Sequence, residues 1–150
     1  MAEPAKAAAL KLRAEDADDV AVLSAILQDA LVAVGEMAWL PEESRFVLVA
    51  NRFRWEPQPG AARQSFERTL TGLRIDTVRS VARRGFSPRD SDRLLVLLAL
   101  RAEAGALYLD FAGGSSIKLE VERILCHLDD LSDPWPTRLR PRHPVDDDSG

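Results

Sequence analysis

The stretch that most constrains this chain is Arg93 to Arg123, RLLVLLALRAEAGALYLDFAGGSSIKLEVER. Leu94 to Leu100 is a continuous apolar run, while Leu107, Leu109 and Phe111 alternate with Tyr108 and Asp110, and Ile117, Leu119 and Val121 alternate with Lys118, Glu120 and Glu122. A period of two is the signature of strands, so three consecutive antiparallel strands are predicted here. Glu103-Ala104-Gly105 and Ala112-Gly113-Gly114-Ser115 are the predicted turns, because glycine takes the positive φ that tight hairpins demand. The stretch holds no nucleophile beside a base, no metal-ligand spacing and no phosphate loop. The paired glycines are followed by an alternating strand, where a phosphate loop needs a helix.

The remainder of the chain is read as closing this sheet into a core. A chain of 150 residues fits one domain that buries roughly two thirds of its unfolded surface. With 46% hydrophobic and 29% charged residues, the composition is that of a globular protein rather than a disordered or fibrous one. The longest uncharged apolar run is far short of the ~20 residues that span a bilayer, and the N-terminus has no basic region before an apolar one. The cytoplasm is therefore the expected compartment, with no membrane partner. The single cysteine, Cys126, cannot form an internal disulfide, in keeping with a reducing environment.

The net charge of -4 conceals an uneven distribution, because residues 45–93 hold 11 Arg against 5 acidic side chains. The middle third is a basic island in an acidic protein. Arginine outnumbers lysine 17 to 3, which reflects codon usage in a GC-rich genome as readily as a need for bidentate contacts.

Along the chain, residues 1–9 are expected to be a disordered leader, and Leu10, Leu12 and Ala14 mark a short first strand. Asp16 is the expected N-cap of a helix with Asp19 at N3, and Val20, Leu23, Leu27 and Ala30 are its apolar stripe. Leu31–Leu40 and Arg45–Trp55 read as a hairpin joined at Pro41–Ser44. Residues 56–64 form a polar loop with Pro and Gly. Leu70–Phe86 carries Leu73, Ile75, Val78 and Val81 as its inward set, and the parity change predicts a bulge or bend at Asp76-Thr77. Ile124, Leu125, Leu128 and Leu131 supply a last element, a short strand or one helical turn. The domain is expected to span 10–131. From residue 132 onward, four prolines predict an extended acidic tail whose start Trp135 pins.

The expected fold is α+β: a strongly bent, mainly antiparallel sheet or open barrel of about seven strands with one N-terminal helix across its open side. The alternating hairpins after Gly72 suggest a pleckstrin-homology-like architecture, although the helix follows the first strand rather than coming last.

Three segments, LQDALVAVGEMAWLPEESRFVLVANRFRWE at 27–56, LRIDTVRSVARRG at 73–85 and LYLDFAGGSSIKLEVERILCHLDDLSDPW at 107–135, resemble an uncharacterised bacterial family known only as a domain of unknown function. Gln28-Asp29-Ala30, Asn51-Arg52-Phe53 and Phe111-Ala112-Gly113-Gly114 are the specific parts. The resemblance implies a small cytosolic protein, often encoded near histidinol dehydrogenase. It implies no activity, cofactor or site.

Two candidate sites are set against structural explanations. Cys126-His127 joins a thiol to an imidazole, but adjacent residues on a strand face opposite ways and a nucleophile needs its base within reach. Cys126 is accordingly read as a buried hydrophobe and His127 as a half-exposed surface residue, which leaves a small-molecule enzyme as the weakest reading. The second candidate is Arg52, Phe53, Arg54, Trp55, Arg79, Arg83 and Arg84, a surface for anionic partners in which Arg52 and Arg54 face water. The competing explanation is a solvated sheet face paired with Glu56, Glu67, Asp76 and Asp90. No catalytic residue, metal site or cofactor is expected. A non-catalytic binding or adaptor domain with a protein partner is the leading expectation, with nucleic acid as the alternative anionic partner and oligomeric state open.

Overall fold

The helix boundary in the computed structural model, which describes residues 9–54, 67–131 and 135–136, follows from one side chain. Asp16 has extended backbone angles and its carboxylate accepts from the Asp19 amide at 2.8 Å, satisfying one of the donors that a helix start leaves open. Asp18 and Asp19 lie in the first turn of α1 (Ala17–Leu27), against the positive end of its dipole. Val20, Leu23 and Leu27 are buried. Ala30, expected to end the helical stripe, instead opens a strand, because Asp29 takes φ 69° and turns the chain.

Among the described residues eleven strands form one open antiparallel sheet, where about seven were expected. They are β1 (Lys11–Ala14), β2 (Ala30–Ala33), β3 (Met37–Leu40), β4 (Arg45–Phe53), β5 (Glu67–Ile75), β6 (Val78–Arg84), β7 (Leu94–Glu103), β8 (Ala106–Phe111), β9 (Ser116–Val121), β10 (Cys126–Asp130) and β11 (Trp135–Pro136). The order is β1-β10-β5-β4-β2-β7-β8-β9-β6, with β3 and β11 pairing β4 and β5. Both β1 and β6 are edges, so the sheet does not close. The count rose partly because the predicted first arm of the hairpin is two strands. A single turn of 3-10 helix at Val34–Glu36 divides it, so that β3 lines the start of β4 while β2 meets β4 only at Asn51 and goes on to pair β7.

The three predicted strands are β7, β8 and β9 in an antiparallel meander. Gly105 and Gly113 have φ of 73° and 83° at the predicted turns. A bulge lies between Leu97 and Ala99, and next to it the Ser24 hydroxyl of α1 accepts from the Leu100 amide at 3.0 Å.

The predicted break at Asp76-Thr77 is a corner with Thr77 at φ 60°. Its consequence is larger than a bend, because β5 and β6 do not pair: β5 sits between β4 and β10, and β6 lies on β9. The last apolar element is the strand β10, set between β1 and β5. The core gathers α1 against the inner faces of β4, β5, β7, β8, β9 and β10, with Phe46, Leu48, Leu73, Ile75, Leu97, Leu107, Leu109, Ile117, Leu119 and Leu128 buried. Each such side chain contributes about 1.5–3 kcal/mol when fully removed from water. The backbone at Trp135–Pro136 bridges to β5, where an extended tail was expected. Trp55, the 56–64 loop and nearly all of the leader and tail lie outside the described residues. No helix among the described residues is long and apolar enough to cross a membrane.

Candidate functional site

Strand parity decides which arginines reach the surface. In β4, Phe46, Leu48, Ala50 and Arg52 share one face and all four are buried. Arg52 is therefore not on the wet side, contrary to expectation. Its guanidinium reaches across β5 to Asp130, with Nε donating to Oδ1 at 3.1 Å and Nη2 to Oδ2 at 2.9 Å, while Nη1 donates to the Phe53 carbonyl. Such bidentate pairing is the geometry that lets a guanidinium be buried. Thr69 and Thr71 on the same face of β5 are buried too, so one end of the core carries a polar plug. On the opposite face Arg68 lies 3.8 Å over the Phe53 ring and donates to the Asn51 side chain at 2.7 Å. The Arg54 amide extends the ladder by donating to the Glu67 carbonyl.

The other half of the arginine set is elsewhere. Strand order puts β2, β7, β8 and β9 between β4 and β6, and the backbone bond that joins β6 to this part of the chain is at the start of β4, Val78 to Ser44, eight residues or about 26 Å along the strand from Arg52. Arg52, Phe53 and Arg54 thus do not join Arg79, Arg83 and Arg84 in one patch. Arg79 pairs with Glu122 at 3.3 Å, both side chains more than half exposed, a contact worth little. Of the four expected acidic partners, Asp76 is one, shared by Arg45 at 2.8 Å and Arg74 at 3.2 Å.

Arg83 and Arg84 border an open groove of about 390 Å³ lined also by Ala82, Arg101, Tyr108, Ser116 and Lys118. It exists because of register. Ala82 stands opposite Lys118, Lys118 opposite Tyr108 and Tyr108 opposite Arg101, so one row crosses β6, β9, β8 and β7 on the outer face. Arg84 stands in the next row opposite Ser116. No acid lines the groove; Arg84, Arg101 and Lys118 have the parity of its outer face, while Arg83, opposite the buried Ile117, borders it from the other parity of β6.

Arg101 is already engaged: its Cζ lies 4.2 Å from the Tyr108 ring centre and its Nε donates to Asp110 at 2.6 Å. The hydrogen bond to Asp110, more than the nearby negative charges, holds its pKa above the ordinary value against some loss to desolvation. Lys118 is 3.9 Å from Glu120. Among the described residues Arg83 and Arg84 have neither an ion pair nor a hydrogen-bond partner for their side chains. Arg101, Tyr108, Ser116 and Lys118 were absent from the sequence-based set. Their alternation marked the wet face, but only the register across four strands brings them beside Arg84.

Cys126 and His127 do not form a pair. Cys126 points into the core, where burial, with a smaller contribution from Asp76, pushes its thiol up to about 12. His127 faces outward with Nδ1 3.1 Å from Arg74 Nη2 and 3.7 Å from Asp76. The thiolate that nucleophilic chemistry needs is suppressed. Among the described residues no group of three or more His, Cys, Asp or Glu is placed to hold a metal ion.

Fold and site together define an open antiparallel α+β domain with a cationic groove on the outer face of its C-terminal meander. The chain belongs to the family described as Protein of unknown function (DUF2948), whose model matches residues 10–143. No curated protein and no solved structure matches the chain.

Proposed function

We propose that this domain is a non-catalytic binding module for an anionic protein partner, taken on the groove between β6 and β7. The observation that carries this reading is that Arg84 stands without an acidic partner among the described residues in a groove where Lys118 and Arg101 add two further cations, with Arg83, also unpaired among them, on the adjoining edge of β6. Unneutralised like charges on one surface raise the local potential and attract an anion. Cys126, the one candidate nucleophile, is buried as a neutral thiol, which removes the main support for an enzyme reading.

Nucleic acid is the second class on charge alone. Base stacking on Tyr108 would require displacing Arg101, which covers that ring, and so a protein anion is the better fit. The β7–β9 meander supports the pleckstrin-homology-like comparison, while eleven strands and a helix placed after β1 depart from it.

Titration of the isotope-labelled protein with polyglutamate at low and moderate salt tests the reading. Shifts confined to Arg83, Arg84, Arg101, Tyr108, Ser116 and Lys118, weakened by salt and abolished in Arg84→Ser/Lys118→Ser, are expected. Shifts centred elsewhere, or equal binding by that variant, would overturn it. A single-stranded oligonucleotide bound in preference, with a log-log salt slope of about -0.7 per phosphate neutralised, would move the assignment to nucleic acid.

A further inference from the structure

Among the described residues β6 is the last strand of the sheet and pairs only β9. Its first residue is covered, since the Val78 amide donates to the Ser44 carbonyl at 2.8 Å. Beyond Val78 its backbone makes no bond, among the described residues, other than those of the β9 ladder. From Val81 to Arg84 the outward N–H and C=O groups therefore form an edge that no described residue pairs, which is a template for another strand. Ala82 is small and exposed and leaves this edge unobstructed. Gly85, at φ 88°, turns the chain away directly afterwards.

Resting on the reading above, we propose that this edge accepts an extended acidic segment of a partner protein as an added β-strand. Successive residues of a strand project to opposite faces, so Arg83 and Arg84 place one guanidinium on each face of whatever lies beyond β6. An added strand with acidic side chains on both faces meets a cation on each, and main-chain bonds supply the rest of the affinity. The same cations discriminate. Two copies of β6 paired edge to edge would crowd Arg79, Arg83 and Arg84 of both onto one short ribbon, and like charges set close together across a pair destabilise it. A second copy is thus repelled by the feature that attracts an acidic strand. Lys118 and Arg101, one and three strands inward of β6 on the outer face, stand about 10 and 19 Å from the added strand at ordinary strand spacing and add only to the general positive potential of this end of the sheet.

The test uses the full chain and a fluorescent eight-residue peptide of two Glu-Glu-Val-Val repeats, which as a strand carries carboxylates on both faces, with two copies N-methylated at odd or at even amides. N-methylation removes ladder donors without changing charge. The parent peptide is expected to bind. One of the two methylated copies is expected to bind at least tenfold more weakly, Arg83→Ser/Arg84→Ser to weaken the parent tenfold or more, and amide exchange at Val81–Arg84 to slow. Both methylated copies binding like the parent would overturn strand addition while leaving the groove as an anion site. No binding of the peptide or of polyglutamate would overturn both readings. Tighter binding by Asp146→Ser/Asp147→Ser/Asp148→Ser would identify the chain's own acidic end as the occupant, and self-association lost in the double Arg variant would identify a second copy. Either result would overturn the external partner.

Discussion

Arg52 and Asp130 meet across β5 inside the protein, 78 residues apart in sequence, with Nη2 to Oδ2 at 2.9 Å and both side chains almost fully buried. Asp130 also accepts from the Leu10 amide at 2.9 Å, and its own amide donates to the Leu10 carbonyl. The pair therefore ties the entry to β1, the end of β10 and the end of β4 into one polar unit.

Removing one partner leaves the other charge buried. Arg52→Ala or Asp130→Ala should each cost about 3–5 kcal/mol, whereas Arg52→Met combined with Asp130→Leu should cost less than either alone. Urea unfolding of wild type, Arg52→Met, Asp130→Leu and the Met/Leu double variant measures the coupling as a double-mutant cycle. Additive losses would show that the two side chains act independently.

Asp110 competes with any ligand for Arg101. Glu103 also pairs with Arg101, so Asp110→Asn combined with Glu103→Gln should release the guanidinium and remove two negative charges beside the groove, so that polyglutamate binds severalfold more tightly at low salt. An anisotropy titration of wild type against variant decides it, and unchanged affinity would place the ligand away from Arg101.

The Cys126 thiol has a folded pKa of about 12 against an ordinary 9.0. A raised folded pKa contributes stability that is fully present below the unfolded value and is lost as pH rises through the folded one. The melting temperature of wild type should therefore fall between about pH 9 and 12 relative to Cys126→Ala, and native protein at pH 8 should resist alkylation until unfolded. Parallel curves for the two proteins across that window would show that the thiol does not contribute.

Two glycines with positive φ separate backbone cost from crowding. A Cβ at Gly85 would lie 2.6 Å from the Ser115 hydroxyl and 2.9 Å from Ser115 Cα, while one at Gly105 meets nothing within 4 Å. Gly105→Ala should cost about 1 kcal/mol for the left-handed backbone alone. Gly85→Ala should cost roughly 2–3 kcal/mol or more, because Ser115 is buried and must move. Thermal denaturation of the two variants gives the comparison, and equal losses would mean that Ser115 yields freely.

Local alternation determined a good part of this protein. The strands β7, β8 and β9, the glycine turns between them, the Asp16 cap and the corner at Asp76-Thr77 all follow from neighbouring residues, because φ preference, capping and period-two burial act over a few positions. Even the burial of Arg52 was legible, since it shares parity with Phe46, Leu48 and Ala50. Its charge argued for solvent, and the carboxylate that overrode that argument lies 78 residues away.

Only the tertiary structure decided strand order. Periodicity tells a residue which side of its own strand it occupies, but every strand offers the same N–H and C=O groups, so the choice of neighbour falls to packing over the whole core. That choice sent β6 away from β5 to the far edge, separated Arg52 from Arg84, and set Arg84 and Lys118 in one groove with Arg101 and Tyr108.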